Sequence, residues 1–87
     1  MKIWSLDTET TGLDVYKGDR PFLFLGFDGT DYIVEKEPLK IKEICEDESI
    51  IKVFHNAKFD IKMLQTVGIE TKGTVYDTMI AAHLLDE

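Results

Sequence analysis

Apolar residues in this chain fall first into short runs broken by turn formers, then into stripes at helical spacing. The first part reads as extended, with strands at about 2–7, 21–28 and 31–35 and a loop from Gly12 to Arg20. Asp28-Gly29-Thr30 separates Phe-rich and Tyr-Ile-Val segments, the pattern of an antiparallel hairpin. Pro38 ends the extended part. Helix, strand, helix, short strand and helix are then expected at about 40–48, 50–55, 57–67, 73–76 and 78–86. Ile50-Ile51-Lys52-Val53-Phe54 has the composition of a strand, and Asn56 is placed to N-cap a helix beginning near Ala57. Three antiparallel strands followed by αβαβα predict an α/β fold, a mixed five-stranded sheet.

This order gives the acidic residues their interest. Leu6-Asp7-Thr8-Glu9-Thr10-Thr11-Gly12-Leu13 carries two carboxylates two residues apart at the end of the first strand. Alternating side chains put Asp7 and Glu9 on one face, with Cα atoms roughly 6.6 Å apart. Both can reach one divalent cation, and oxygen-only ligands favour Mg²⁺ or Mn²⁺, which leave room for a phosphate. Counting from Asp60, Met63, Leu64 and Val67 stand at +3, +4 and +7, so Asp60 heads the apolar stripe of its helix. A buried carboxylate needs a partner, and a metal or its bound water supplies one. In a sheet flanked by helices such groups meet at the carboxyl ends of the strands. Other readings stay open: a solvated strand-to-loop junction for Asp7 and Glu9, a helix-dipole partner for Asp60, a plain N-cap for Asn56 and ordinary packing for Leu13.

The D-x-E-T-T-G-L run, H-N-A-K-F-D-I-K-M-L and Y-D-T-M-I-A-A-H-L-L-D resemble successive landmarks of the 3′-to-5′ exonuclease domain of family A DNA polymerases, within the DEDD exonuclease superfamily. The resemblance spans nearly the whole chain, in order. It implies a ribonuclease H-like sheet with its first strand central, and two-metal hydrolysis of the 3′-terminal phosphodiester of single-stranded DNA. Asp7 would bridge two Mg²⁺ or Mn²⁺ ions, Glu9 would bind the nucleophile-side ion and Asp60 would hold the second through water. Main-chain groups near Thr10 would position the terminal nucleotide, Leu13 would wedge against its base, and Asn56 would sit close to the strand end. The family's third motif, a Tyr or His followed by a fourth Asp, has no counterpart before Glu87. Residues 1–87 are therefore expected to form a single, incomplete domain, truncated in or after the last helix and weak or inactive as an isolated chain. A downstream polypeptide or polymerase domain would complete the site, and exposed apolar surface would favour self-association. The alternative is a binding module that grips nucleic acid or protein without hydrolysis.

Composition adjusts this picture at three points. Eighty-seven residues make one domain at most, with a small core. No stretch approaches the ~20 apolar residues of a membrane span, and no apolar signal core precedes Asp7, so a cytoplasmic protein is expected. The net charge of −7 argues against long-range steering toward DNA, although Lys52, Lys58 and Lys62 surround Asp60 in sequence. Glu43, Glu46, Asp47 and Glu48 read as a solvated face. The single Cys45 shares a helical stripe with Ile41 and Ile44 and reads as a core thiol. Asp77 reads as the N-cap of the last helix, His83 as structural, and Asp86 and Glu87 as a fraying end.

Overall fold

A computed structural model describes residues 2–80. Strands β1 (Lys2–Thr10), β2 (Pro21–Phe27), β3 (Tyr32–Glu35), β4 (Ile50–Phe54) and β5 (Val75–Asp77) form one sheet in the order β3-β2-β1-β4-β5. β1 runs antiparallel to β2 and parallel to β4, and β5 runs parallel to β4. The mixed five-stranded sheet with a central first strand is the predicted one.

Local chemistry accounts for the connections. In the hairpin, Asp28 Oδ1 accepts from the amides of Thr30 (2.9 Å) and Asp31 (2.6 Å), while Gly29 takes the left-handed φ of 99° that the turn needs. Helix α1 (Leu39–Glu46) begins after Pro38, which has no side chain to cap it. The Glu35 carboxylate at the end of β3 does so instead, accepting from the amides of Lys40 (3.1 Å) and Ile41 (3.2 Å). Helix α2 (Ala57–Gln65) ends two residues earlier than its pattern suggests, so Val67 is not on the buried stripe. Ile69 fills that place after Gly68 turns the chain at φ 82°.

Both helices pack on one face of the sheet, where Leu6, Phe24, Ile33, Ile50 and Phe54 meet Ile41, Ile44, Cys45, Ala57 and Leu64. Cys45 is the core thiol its stripe predicts, and burial pushes it up to about 11. Lys52 departs from expectation. Alternation along β4 places it inward with Ile50 and Phe54, and it is fully buried. Its Nζ donates to the carbonyls of Asp47 and Lys72, tying the end of α1 to the segment before β5. Lys52 therefore contributes no free charge for a phosphate.

The opposite sheet face carries Ile3, Ser5, Asp7 and Glu9 of β1, Phe27 of β2, Tyr32 and Val34 of β3, and Tyr76 of β5, by strand register. Among the described residues no element covers it, and Ile3, Tyr32, Val34 and Tyr76 are all more than half exposed. No helix among the described residues is long and apolar enough to cross a membrane. Thr78–Ile80 are helical, so the last helix starts where expected; its remainder, with His83, Asp86 and Glu87, lies outside the described residues.

Candidate active site

The pairing of β1 sets the geometry. Its bonds to β4 run only through Lys2–Ser5, whereas those to β2 continue to Thr10 opposite Pro21. The strand is thus longer than predicted, and Asp7 and Glu9 lie within it instead of at its end. They stand where β1 outruns β4 and is flanked on that side by α2. Both side chains are exposed, and the Asp7 carboxylate accepts from the Thr8 amide at 2.9 Å.

Thr8, between them, points the other way, and its hydroxyl donates to Asp60 Oδ1 at 2.7 Å. Asp60 is 3% exposed, on the buried side of α2 with Ala57, Met63 and Leu64, as its stripe predicts. Burial pushes its carboxyl up to about 6; the Thr8 hydrogen bond opposes this, the negative charges of Asp7 and Asp77 add to it, and His55 opposes it. Asp60 and Asp7 therefore sense each other, with the strand residue Thr8 joining their elements. Among the described residues no three Asp, Glu, His or Cys side chains stand close enough together to hold a metal ion. The donor set is nevertheless all oxygen. It fits an open site in which one or two carboxylates hold Mg²⁺ or Mn²⁺ and substrate phosphate completes the shell, the usual mode for Mg²⁺.

The remaining residues frame the acids. The Thr10 hydroxyl donates to the Gly12 carbonyl (2.8 Å), turning the chain out of β1 and leaving its main chain at the rim. Leu13 is 84% exposed on the loop that follows. Asn56 occupies the N-cap position of α2 but does not cap it. It has left-handed backbone angles (φ 75°, ψ 63°), and its side chain makes no capping bond.

The cap comes from Asp77. Its carboxylate accepts from the amides of Asn56 (3.0 Å), Ala57 (2.8 Å) and Met79 (2.9 Å), serving α2 as well as the predicted start of the last helix. Burial works against the charge on Asp77, but the Ala57, Asn56, Met79 and Ile80 amides together hold the carboxyl below the ordinary carboxylate range. His55 Nδ1 shares a hydrogen bond of 2.9 Å with Thr78 Oγ1, which also donates to the Phe54 carbonyl. One acidic side chain thus fixes the turn from which Asn56 and Asp60 are displayed. The Asp-Thr pair signalled a cap for the last helix only. The second role depends on the pairing of Phe54 with Asp77 across β4 and β5.

Comparison with known proteins assigns a family to this arrangement. Residues 1–87 match the family described as 3′-5′ exonuclease. The chain is 35% identical over 91 residues to DNA polymerase DpoZ of Salmonella phage PMBT28, covering 95% of this chain and 14% of that one. It is 32% identical over 97 residues to DNA polymerase I of Borreliella burgdorferi, covering 98% and 11%. Among solved structures, Brucella melitensis NrnC bound to pGG superposes with a TM-score of 0.80 at 28% identity, covering 94% of this chain and 43% of that one. A structure of NrnC with bound Mg²⁺ gives the same TM-score. Escherichia coli RNase D, an exoribonuclease, gives 0.72 at 25% identity, covering 92% and 22%. The chain spans a small part of the polymerases and under half of NrnC. On a ribonuclease H-like sheet, and matched over its whole length, it belongs to the 3′-5′ exonuclease family of family A DNA polymerases.

Proposed function

We propose that the chain supplies the first two acidic motifs of a divalent-metal-dependent 3′-to-5′ exonuclease, acting on single-stranded DNA 3′ ends in the cytoplasm. The observation that carries this reading is Asp60, a buried carboxyl that accepts from the Thr8 hydroxyl and is thereby joined to the strand bearing Asp7 and Glu9. Without a cation nearby, burial disfavours its charge; beside one, the same position favours it.

Two ions, when bound, supply an activated water and charge stabilisation at the phosphorus. Asp7 would help hold both, Glu9 would hold the nucleophile-side ion and Asp60 would hold the second through water. Thr8 fixes the Asp60 rotamer. Main-chain groups near Thr10 position the terminal nucleotide, the exposed Leu13 wedges against its base, and Asn56 offers its carboxamide at the rim. The fourth acid and a water-orienting Tyr or His come from a third motif in a downstream polypeptide or polymerase domain. Lack of that orienting group lowers turnover by roughly 10²- to 10⁴-fold. The open apolar sheet face favours self-association until it is covered.

Calorimetric titration with Mn²⁺ tests the assignment. The parent chain is expected to give binding heat that Asp7→Ala loses, whereas no heat in the parent favours a non-catalytic binding module. Turnover is read with a labelled single strand and Mn²⁺, using the chain alone and then with a polypeptide carrying the third motif.

A further inference from the structure

The loop from Thr11 to Arg20 is held by more bonds than a simple connection needs, yet it displays two large apolar side chains to water. The Thr11 amide donates to the Arg20 carbonyl (3.0 Å), Asp14 N to Asp19 Oδ2 (3.0 Å) and Tyr16 N to Asp14 Oδ1 (2.9 Å). The loop closes so tightly over Gly12 that a Cβ there would stand 2.4 Å from Asp19 Oδ2. On this frame Leu13 is 84% and Tyr16 87% exposed.

The charge around Tyr16 is sorted as well. Asp14 and Asp19 accept hydrogen bonds within the loop. The cations face out: Lys62 Nζ, from α2, lies 5.4 Å from the centre of the Tyr16 ring, and Arg20 is held beside the same turn by the Val15 carbonyl (3.1 Å). An exposed aromatic ring with an ammonium near it and a guanidinium on the same loop suits a base to stack on and phosphates to follow. An apolar partner protein would gain nothing from the two cations.

We propose that Tyr16, with Lys62 and Arg20, forms a stacking platform for single-stranded nucleic acid a few nucleotides upstream of the 3′ end. The platform rests on the exonuclease reading, because β1 leads from Glu9 directly into this loop. It grips the body of the strand, whereas Thr10, Leu13 and Asn56 hold its end.

The test is fluorescence anisotropy with 5′-labelled oligothymidylates of about 3 and about 12 nucleotides, bracketing a single-strand footprint. Low salt strengthens binding, and Ca²⁺ replaces Mg²⁺ to restrain hydrolysis. Tyr16→Ala should weaken the long strand by about 5- to 100-fold and the short one by less than about twofold. Tyr16→Phe should restore binding, and Lys62→Met should cause a smaller loss that shrinks as salt rises. Because the Tyr16 side chain is exposed, folding should be unchanged by circular dichroism. If Tyr16→Ala binds both lengths as the parent does, the platform is refuted. If the parent binds neither length, the exonuclease reading fails and takes the platform with it.

Discussion

Asp60 and Asp77 are the same residue type, close enough for each to feel the other's charge, and the fold treats them oppositely. Asp60 is buried with one hydroxyl donor, and its carboxyl is pushed up to about 6. Asp77 gathers backbone amides at two helix starts and is held below the ordinary range. The difference is one of burial and donors together: Asp60 is buried with one hydroxyl donor among the described residues, whereas Asp77 is only partly buried and meets several amides. Amides aimed at a carboxylate outweigh desolvation; a single hydroxyl does not. Asp77 is therefore held as an anion by the backbone around it, whereas Asp60 is held toward its neutral form.

The largest way to break this contrast is Asp60→Asn, which keeps an acceptor for Thr8 and removes the charge. The native carboxyl binds its proton more tightly than the unfolded one, so its contribution is complete below pH 3.8 and is lost as pH rises through about 6. Urea unfolding in chelator at pH 7.5 should show the variant more stable by on the order of 2–3 kcal/mol. The variant's excess stability over the parent should grow between pH 4 and about 6, as the parent loses the Asp60 contribution. Thr8→Val should act in the opposite direction. It removes the one donor favouring the charge, costing about 1–2 kcal/mol at neutral pH and moving the Asp60 carboxyl further up in a carbon-detected NMR titration.

Asp77→Asn tests the other carboxyl. Asn keeps one acceptor oxygen where three amides converge, so the melting temperature should fall by about 4–8 °C. The parent's contribution from Asp77 is present above pH 3.8 and is lost as pH falls through its lowered value, so the gap between parent and variant should narrow in acid. The smallest change expected is from Asn56→Gly. Glycine adopts φ 75° freely, but asparagine tolerates it well, so stability should move by less than about 0.5 kcal/mol. The same substitution removes the carboxamide and should still weaken binding of a single-stranded 3′ end.

These features differ in how readily the sequence discloses them. The hairpin and the burial of Asp60 rest on local turn chemistry and periodicity, which a few neighbouring residues suffice to express; the central first strand came with the family resemblance, because strand order is set by pairing between distant segments. The inward Lys52 was available from the alternation of Ile50, Lys52 and Phe54, but a carbonyl five residues back and another twenty residues on were needed to make a buried ammonium tolerable. The caps that Glu35 gives α1 and Asp77 gives α2 were not available at all; only the Asp77 cap of the last helix was. Glu35 reaches amides only five and six residues ahead, with no residue-type signal to mark it, whereas Asp77 joins a strand end to a helix start twenty residues back and exists only once β4 pairs with β5. The left-handed Asn56 follows from Asp77, since the carboxylate takes the amide that a conventional N-cap would leave to water.

The uncovered side of the sheet ties dehydration to neutralisation. Asp7 and Glu9 share that surface with Phe27, Tyr32 and Val34, so whatever shelters the apolar groups also strips water from two anions. Removing water from an unpaired ion costs several kcal/mol, which positive charge must offset. Covering this surface would therefore raise the energy of both carboxylates unless positive charge came with the cover.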